Sequence, residues 1–370
     1  MRMFFLVFIL GYIGGNVYIF IRALQMLSGV SFPLRILLSV FFWLAAFSLV
    51  IALLTRHIEI PVSLSKTMFC VGSVWLVFTL YMILSLLLTD VVRLFVPTMK
   101  YGFCYALSFT CCLLLYGYYN YLHPQIKNIN IPIDKPIEGE GVKIVAVSDL
   151  HLGNGTGKAM LKRYVDMINA QTPDLILIGG DLIDNSLIPL YHENMAEELA
   201  ELKAPMGIYM VPGNHEYISG IDECVHFLKT TPIKLLRDSV VTLPNGVQII
   251  GRDDRSNRSR HSLPELLKRT DNSKPTVVLD HQPYNLKKTD SLGIDLQFSG
   301  HTHHGQVWPI SWLTDRLYEQ SHGYRKWSKS HIYVSSGLSL WGPPFRIGTN
   351  SDMAVLHLSN IMPTFASDNH

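Results

Sequence analysis

Apolar residues crowd four long runs in the first third of the chain and then break into short bursts. The runs cover about Met3–Phe20, Leu34–Leu54, Thr67–Leu88 and Tyr101–Tyr121, and none carries a charge within its core. Each has the roughly 18 to 25 residues that cross a hydrocarbon layer about 30 Å thick. Arg22, Arg35, Arg56, Lys66, Arg93 and Lys100 flank them, with Tyr and Trp near the ends, as anchoring at a membrane interface predicts. The pattern therefore predicts four transmembrane helices within residues 1–122 rather than the buried helices of a soluble bundle. The first run has no small-residue cleavage site and three more runs follow it, so it reads as a retained span and not a signal peptide. Gly11 and Gly15 give that span a GxxxG spacing, a hint of close helix contact.

The texture changes after "HPQIKNINIPIDKPIEGEG", residues 123–141, which reads as a linker rich in Pro, Asn and charge. Beyond it the short runs "KIVAVSD", "LILIGGD", "GIYMVPGN", "TVVLDH" and "LQFSGH" come with helix-like segments between the early ones. Runs that are apolar throughout and separated by helices predict a sheet covered on both faces, hence a layered α/β domain over residues 142–370. The five runs end in polar chemistry: Asp149-Leu150-His151, Asp181, Asn214-His215-Glu216, His281 and His301-Thr302-His303. In layered α/β folds ligands sit beyond the carboxyl ends of the strands, so five segments would deliver donors to one rim.

Composition sharpens the division. Of the 370 residues 48% are hydrophobic and only 16% charged, too apolar for an ordinary soluble protein. Before residue 131 stand eight Lys or Arg against only Glu59 and Asp90, while the remainder holds 27 acidic and 23 basic residues. A mildly acidic domain without a basic stripe is poorly suited to gripping nucleic acid, and that partner class is set aside. Cys70, Cys104, Cys111 and Cys112 lie in the spans, which leaves Cys224 without a disulfide partner in the soluble domain. A lone thiol suits a reducing compartment, so the expectation is a multi-pass membrane protein with its soluble domain in the cytoplasm.

The donors at the run ends are two carboxylates, one amide and the imidazoles of His151, His281, His301 and His303. Without cysteine among them, the set suits Mn, Fe, Zn or a similar divalent ion. Seven ligands exceed the need of one ion with an open position and match two ions sharing a carboxylate. Two metals about 3.5–4 Å apart can clamp a phosphate and turn bound water into the attacking hydroxide. No GxSxG occurs and Cys224 has no motif around it, so no side-chain nucleophile is expected.

"SDLHLG", "GGDLID", "GNHE", "DHQP" and "GHTHHGQ", in that order, closely resemble the five signature blocks of the calcineurin-like metallophosphoesterases. The likeness runs from about Val142 to Leu358 and implies an α/β/β/α layered domain. It also implies that Asp149, His151 and His303 hold one divalent metal, that Asn214, His281 and His301 hold a second, and that Asp181 bridges them. His215, next to Asn214, falls where the family places a catalytic histidine that steadies phosphoryl oxygens or protonates the leaving group. On strand geometry His301 and His303, at i and i+2, are expected to leave the strand on one face while His304 points elsewhere. Asp184 and Glu216 are read as orienting or structural groups outside the ligand set.

"GHTHHGQVWP", "YVSSGLSLWGPPFRIG" and "IIGRDD" further resemble the membrane-associated YkuE and YaeI branch, which includes pyrophosphatases acting on a nucleotide-linked lipid. His304 stands where that branch usually has Gly, and Ser336 where it often has Arg. The resemblance implies a hydrolase of a phosphomonoester, phosphodiester or pyrophosphate bond, with a membrane lipid or nucleotide-lipid among the candidate substrates. Trp308, Trp312, Tyr324, Trp327 and Trp341 would then form either an apolar wall for such a substrate or simply the core of their own segment. The alternative from another class is a non-catalytic membrane scaffold that retains the fold. A transporter finds no support, because the spans lack internal charges.

Overall fold

The computed structural model describes residues 2–55, 58, 60–139 and 141–360; Met1, Arg56, His57, Glu59, Glu140 and residues 361–370 lie outside that set, as do the side chains of residues 2–6 and 8. The expected flanking role of Arg56 and the end of the 142–370 domain therefore fall outside the described residues. The chain forms two compact units. One is residues up to Leu122 together with Gly342–Ile347, the other His123–Trp341 together with the residues from Gly348 onward.

The first unit is built on helices α1 (Arg2–Met26), α2 (Phe32–Leu54), α3 (Val62–Phe95) and α4 (Gly102–Leu122). Pro33 sits in the first turn of α2, where its missing N–H would have had no helical partner. Helices α2, α3 and α4 are long and apolar enough to cross a membrane. The most apolar stretch of α2 is only 17% buried against 44% for α3, which makes α3 the helix the others pack around. At 34 residues α3 outruns the expected Thr67–Leu88 and reaches about 51 Å. Its extension carries Asp90, whose charge is met by Arg22 at 2.8 Å and by the Tyr18 hydroxyl at 2.6 Å. Asn16 of α1 is buried and accepts hydrogen bonds from Trp75 Nε1 at 2.8 Å and Thr79 Oγ1 at 3.3 Å, the satisfied polar contact that holds apolar helices together. The GxxxG reading needs correction. A Cβ on Gly15 would overlap Ile83, but one on Gly11 would meet open space, and the backbone approach instead centres on Gly72, where a Cβ would overlap Leu49.

In the second unit, among the described residues, twelve strands form two six-stranded sheets. They are β1 (Gln125–Ile133), β2 (Val142–Val147), β3 (Leu175–Ile178), β4 (Ile208–Met210), β5 (Ile233–Leu235), β6 (Ser239–Thr242), β7 (Gln248–Gly251), β8 (Thr276–Leu279), β9 (Leu296–Ser299), β10 (Gly323–Lys326), β11 (His331–Val334) and β12 (Asp352–Asn360). The first sheet runs β1-β12-β2-β3-β4-β5 and the second β10-β11-β9-β8-β7-β6. Successive residues of β2 serve two cores, as a period of two requires. Val145 and Val147 pack with Leu161, Val165 and Ile168 of the helix α5 (Lys158–Asn169), whereas Ile144 and Ala146 pack with Val277, Leu279 and Phe298 of the other sheet. Ile250 and Val278 turn their side chains to Leu263 and Leu266. Burial on both faces is why these strands read as unbroken apolar runs, each fully buried aliphatic contributing about 1.5–3 kcal/mol.

About half of the expected linker is a strand. Residues 125–133 form β1, parallel to β12 with Gln125 opposite Asp352. Ile129, Ile131 and Ile133 alternate with Asn128, Asn130 and Pro132, a period-two signal that the Pro and Asn content obscured. Pro132 is tolerated because β1 is the outermost strand of its sheet.

Candidate metal centre

Strands β2, β3 and β4 run parallel, as do β8 and β9, so their carboxyl ends deliver the turns that carry the polar residues. These turns are sharp. Asp149, His151, Asp181, His301 and His303 all adopt left-handed backbone, with φ of 57°, 46°, 51°, 73° and 48°. Such conformations cost non-glycine residues about 1–3 kcal/mol each and persist only where the surroundings hold them. Here the turns hold one another. The Asp149 N–H donates to Gly180 O at 3.0 Å and the His151 N–H to Asp181 O at 3.0 Å. The His215 N–H donates to Asp181 Oδ1 at 2.8 Å, and the His301 N–H to the Asp149 carboxylate at 3.1 Å. Gly180, at φ 94°, leaves room for the His281 ring, which a Cβ would approach to 2.7 Å. The strand argument for His301 and His303 does not hold as stated. Strand β9 ends at Ser299, and both histidines reach the site from left-handed turns.

Three overlapping groups of donors result, one of them His151, Asp181 and His215. Asp149, His151 and His303 offer ligand atoms within 4.8 Å of one another, and so do Asp181, His281 and His301. His151 Nε2 and His303 Nε2 are 3.0 Å apart, with Asp149 Oδ1 at 3.8 Å and 3.4 Å from them. Asp181 Oδ2 lies 3.1 Å from His281 Nε2 and 3.8 Å from His151 Nε2, so one carboxylate oxygen touches both groups. Asn214 joins through its Oδ1, 2.9 Å from His301 Nδ1. Buried imidazole nitrogens and carboxylate oxygens converging on one spot fit hard-to-borderline divalent cations. His281 strengthens the fit: its Nδ1 is 2.8 Å from Gly179 O, which fixes the ring and directs the buried Nε2 at Asp181 Oδ2, 3.1 Å away.

Residues 142–305 match the model of the calcineurin-like phosphoesterases. An uncharacterized metallophosphoesterase of Helicobacter pylori is 35% identical over 276 residues, 71% of this chain and 73% of that one. The chain belongs to the calcineurin-like metallophosphoesterase family. A transmembrane protein with metallophosphoesterase domain from Danio rerio is 30% identical over 67% of this chain and 60% of its own length. The Bacillus subtilis metallophosphoesterase YkuE is 30% identical over 66% of this chain and 90% of its own.

Around the metallophosphoesterase donors, carboxylates fix the rings. Asp184 Oδ1 lies 3.3 Å from His151 Nδ1 and 3.1 Å from His215 Nδ1, so one side chain orients both imidazoles. Asp184→Asn should weaken metal retention and lower turnover about 10–100-fold, the usual cost of losing an outer partner. Titrated metal content alongside kcat checks this, and unchanged values for both would remove the orienting role. Glu216 accepts from the N–H groups of Gly213 at 2.7 Å, Ile183 at 2.9 Å and Asp181 at 3.0 Å, tying two turns together.

The electrostatics are those of a site built for cations. Burial and the Asp181 charge push the Glu216 carboxyl up to about 7. Burial would raise Asp181 as well, but the neighbouring His281 outweighs it and holds that carboxyl well below its ordinary range. His301, partly buried beside His281, is pushed down to about 4 by desolvation and by that neighbour, and so stays neutral, the form that donates a lone pair. Burial works against a proton on His215, yet Asp184 and Asp181 overcome it and raise the imidazole to about 9.

His304 departs from the cluster, its Nε2 lying 3.2 Å from Asp315. Three further residues border the site, of which the sequence reading singles out Trp341 and the block that contains Asp254 but not Tyr318. Asp254, from "GRDD", is buried, accepts from Gln282 Nε2 at 2.8 Å and acts electrostatically on His281 and His301. The Tyr318 ring is 6.4 Å from His301, and the Trp341 ring 6.4 Å from His215. Tyr318 comes from an aromatic segment whose folding no short pattern announces. Trp308 and Trp312 are 55% and 54% exposed, so they do not fill a core.

Proposed function

We propose that this protein is a membrane-anchored binuclear metallohydrolase that cleaves a phosphate ester or pyrophosphate bond by attack of water. The observation that supports it most is the pair of buried donor groups meeting at Asp181 Oδ2. In this reading Asp149, His151 and His303 hold one ion, Asn214, His281 and His301 the other, and Asp181 both. When bound, the two ions supply Lewis-acid polarisation of the phosphoryl group and acidify a water. The remaining work belongs to the protein. His215, with Nδ1 engaged by Asp184 and its proton retained near neutrality, presents Nε2 to the leaving oxygen or a phosphoryl oxygen. Asp184 and Glu216 keep the turns from relaxing, so the donors need little rearrangement on binding. Assay of the detergent-solubilised protein on aryl phosphomonoesters and phosphodiesters, before and after chelation, tests the reading; undiminished turnover after chelation would refute it.

The α/β/β/α layering belongs to the same reading, supported by helix-packed clusters on the outer faces and a shared core between the sheets. So does α1 as a fourth membrane span, from its helical residues Arg2–Met26. The substrate class we favour is lipid-linked. Trp308 and Trp312 are exposed on a short stretch that also exposes Ile310 and Leu317, the composition that meets lipid rather than water. Trp308→Ala with Trp312→Ala should lower turnover of a vesicle-borne phospholipid ester several-fold more than that of a soluble aryl phosphodiester. Equal losses on the two would remove lipid from the proposal. A cytoplasmic catalytic domain suits Cys224, a buried thiol pushed up by burial, and a reporter fused to the C-terminus reads the side directly.

A further inference from the structure

The loop that follows β7 reads "RDDRSNRSR", four arginines in nine residues, and the fold puts them to two uses. Arg252 and Arg260 both close on Asp280, at 2.6 Å and 3.1 Å, and so brace the turn that carries His281. Arg255 and Arg258 are exposed and form no ion pair among the described residues. Arg255 instead lies over the Tyr284 ring, its Cζ 4.5 Å from the centroid. The Tyr284 ring stands 5.2 Å from that of Tyr318, which is in turn 6.4 Å from the His301 ring. We propose that Arg255, presented on the Tyr284 and Tyr318 pair, binds a second phosphate carried on the organic arm of the substrate and so selects substrates with an anionic group beyond the scissile bond. The inference rests on the phosphoesterase reading of the metal centre, and on a lipid-linked substrate the second phosphate belongs to the headgroup.

Chemistry, placement and rigidity each support it. A guanidinium laid on an aromatic ring engages that ring through its face and keeps its in-plane N–H donors, a fork that matches two phosphate oxygens. With no carboxylate competing, those donors are open to a ligand. Tyr284 follows the candidate ligand His281 by three residues, so their Cα atoms lie within about 11 Å of each other. Two rings stand between His301 and the guanidinium, which suits a second phosphate across a sugar- or glycerol-sized spacer rather than the adjoining one of a pyrophosphate. The loop is also fixed to the segment that carries Tyr284. Asp254 accepts from the Ser256 N–H and from Gln282 Nε2, both at 2.8 Å, and Asp253 accepts from Asn257 Nδ2 at 3.0 Å. Backbone on either side of Arg255 is thereby held, and less ordering remains to oppose binding.

Calorimetric titration of the full-length protein in detergent, loaded with manganese, tests this with α,ω-alkane bisphosphonates from propane to octane against the monophosphonates of equal length. Each monophosphonate reports the metal centre, and the ratio of the two affinities reports Arg255. At one length or more the bisphosphonate should bind about tenfold more tightly than its monophosphonate. Arg255→Ala should bring that ratio down to the roughly twofold that two equivalent ends give by chance, while Arg255→Lys, which keeps the charge but not the planar fork, should retain part of it. Arg258→Ala removes an exposed charge that lies over no described ring and should keep the ratio high. Failure of the metal-centre reading shows separately, as monophosphonate affinity that ignores manganese. A ratio no greater than about twofold in the parent at every length, one that Arg255→Ala leaves unchanged, or one that Arg258→Ala lowers as far, overturns the subsite.

Discussion

Asp181→Asn should lower kcat/KM on a soluble aryl phosphodiester by at least about 10³-fold and leave the purified protein short of divalent metal. The reasoning starts from position. One oxygen, Oδ2, lies 3.1 Å from His281 Nε2 and 3.8 Å from His151 Nε2, while Oδ1 accepts the His215 N–H at 2.8 Å. An amide can keep the second contact with its own oxygen but then turns an N–H₂ toward two nitrogens meant to be ligands. It also deletes the negative charge that His281 stabilises so strongly. Loss of an outer partner costs about 10–100-fold in affinity or activity, and removal of a shared ligand must exceed that. The fold should survive, because Glu216 still accepts from the Asp181-position N–H and ties that turn to Gly213. Metal content, far-ultraviolet circular dichroism and turnover measured on one preparation decide the matter. A folded variant with full metal content and activity within about tenfold of the parent would show that Asp181 is not the shared ligand.

The convergence of the candidate donors was legible in the sequence because each follows a short apolar run, and parallel strands place such run ends side by side. Asp149, Asp181, Asn214, His281 and His301 needed no knowledge of distant contacts. What sequence could not supply was how the chain arrives there. The left-handed turns at Asp149, Asp181, His301 and His303 are held by hydrogen bonds between segments as far apart as residues 149 and 301, and the tolerance of Asp and His for that region does not by itself select them. Strand β1 was hidden for a related reason: its Pro132 and asparagines resemble a linker until β12, more than 200 positions later, gives them a partner. The same holds in the helical unit. The apolar run ends at Leu88, yet Arg22 and Tyr18 pair Asp90 and α3 continues to Phe95. Element type follows local pattern, whereas strain, pairing and close approach follow tertiary neighbours.

His215→Gln should cut kcat by about 10²–10⁴-fold on substrates with poor alcohol leaving groups while leaving metal content intact. The two halves of that expectation come from separate features. In the metal-free protein Asp184 and Asp181 overcome burial and raise His215 to about 9, and Asp184, 3.1 Å from Nδ1, continues to favour the protonated ring when ions share the Asp181 charge. Its Nδ1 is committed to Asp184 at 3.1 Å, which leaves Nε2 as the only ring atom able to serve the reacting group. Glutamine can still donate a hydrogen bond but cannot surrender a proton. A leaving group that departs as a stable anion, such as p-nitrophenolate, needs no proton, so the loss there should be far smaller. The slope of log kcat against leaving-group pKa should therefore steepen in the variant. A uniform loss across leaving groups, with zinc or manganese content reduced in step, would instead make His215 a ligand or a positioning residue and transfer the acid role to solvent.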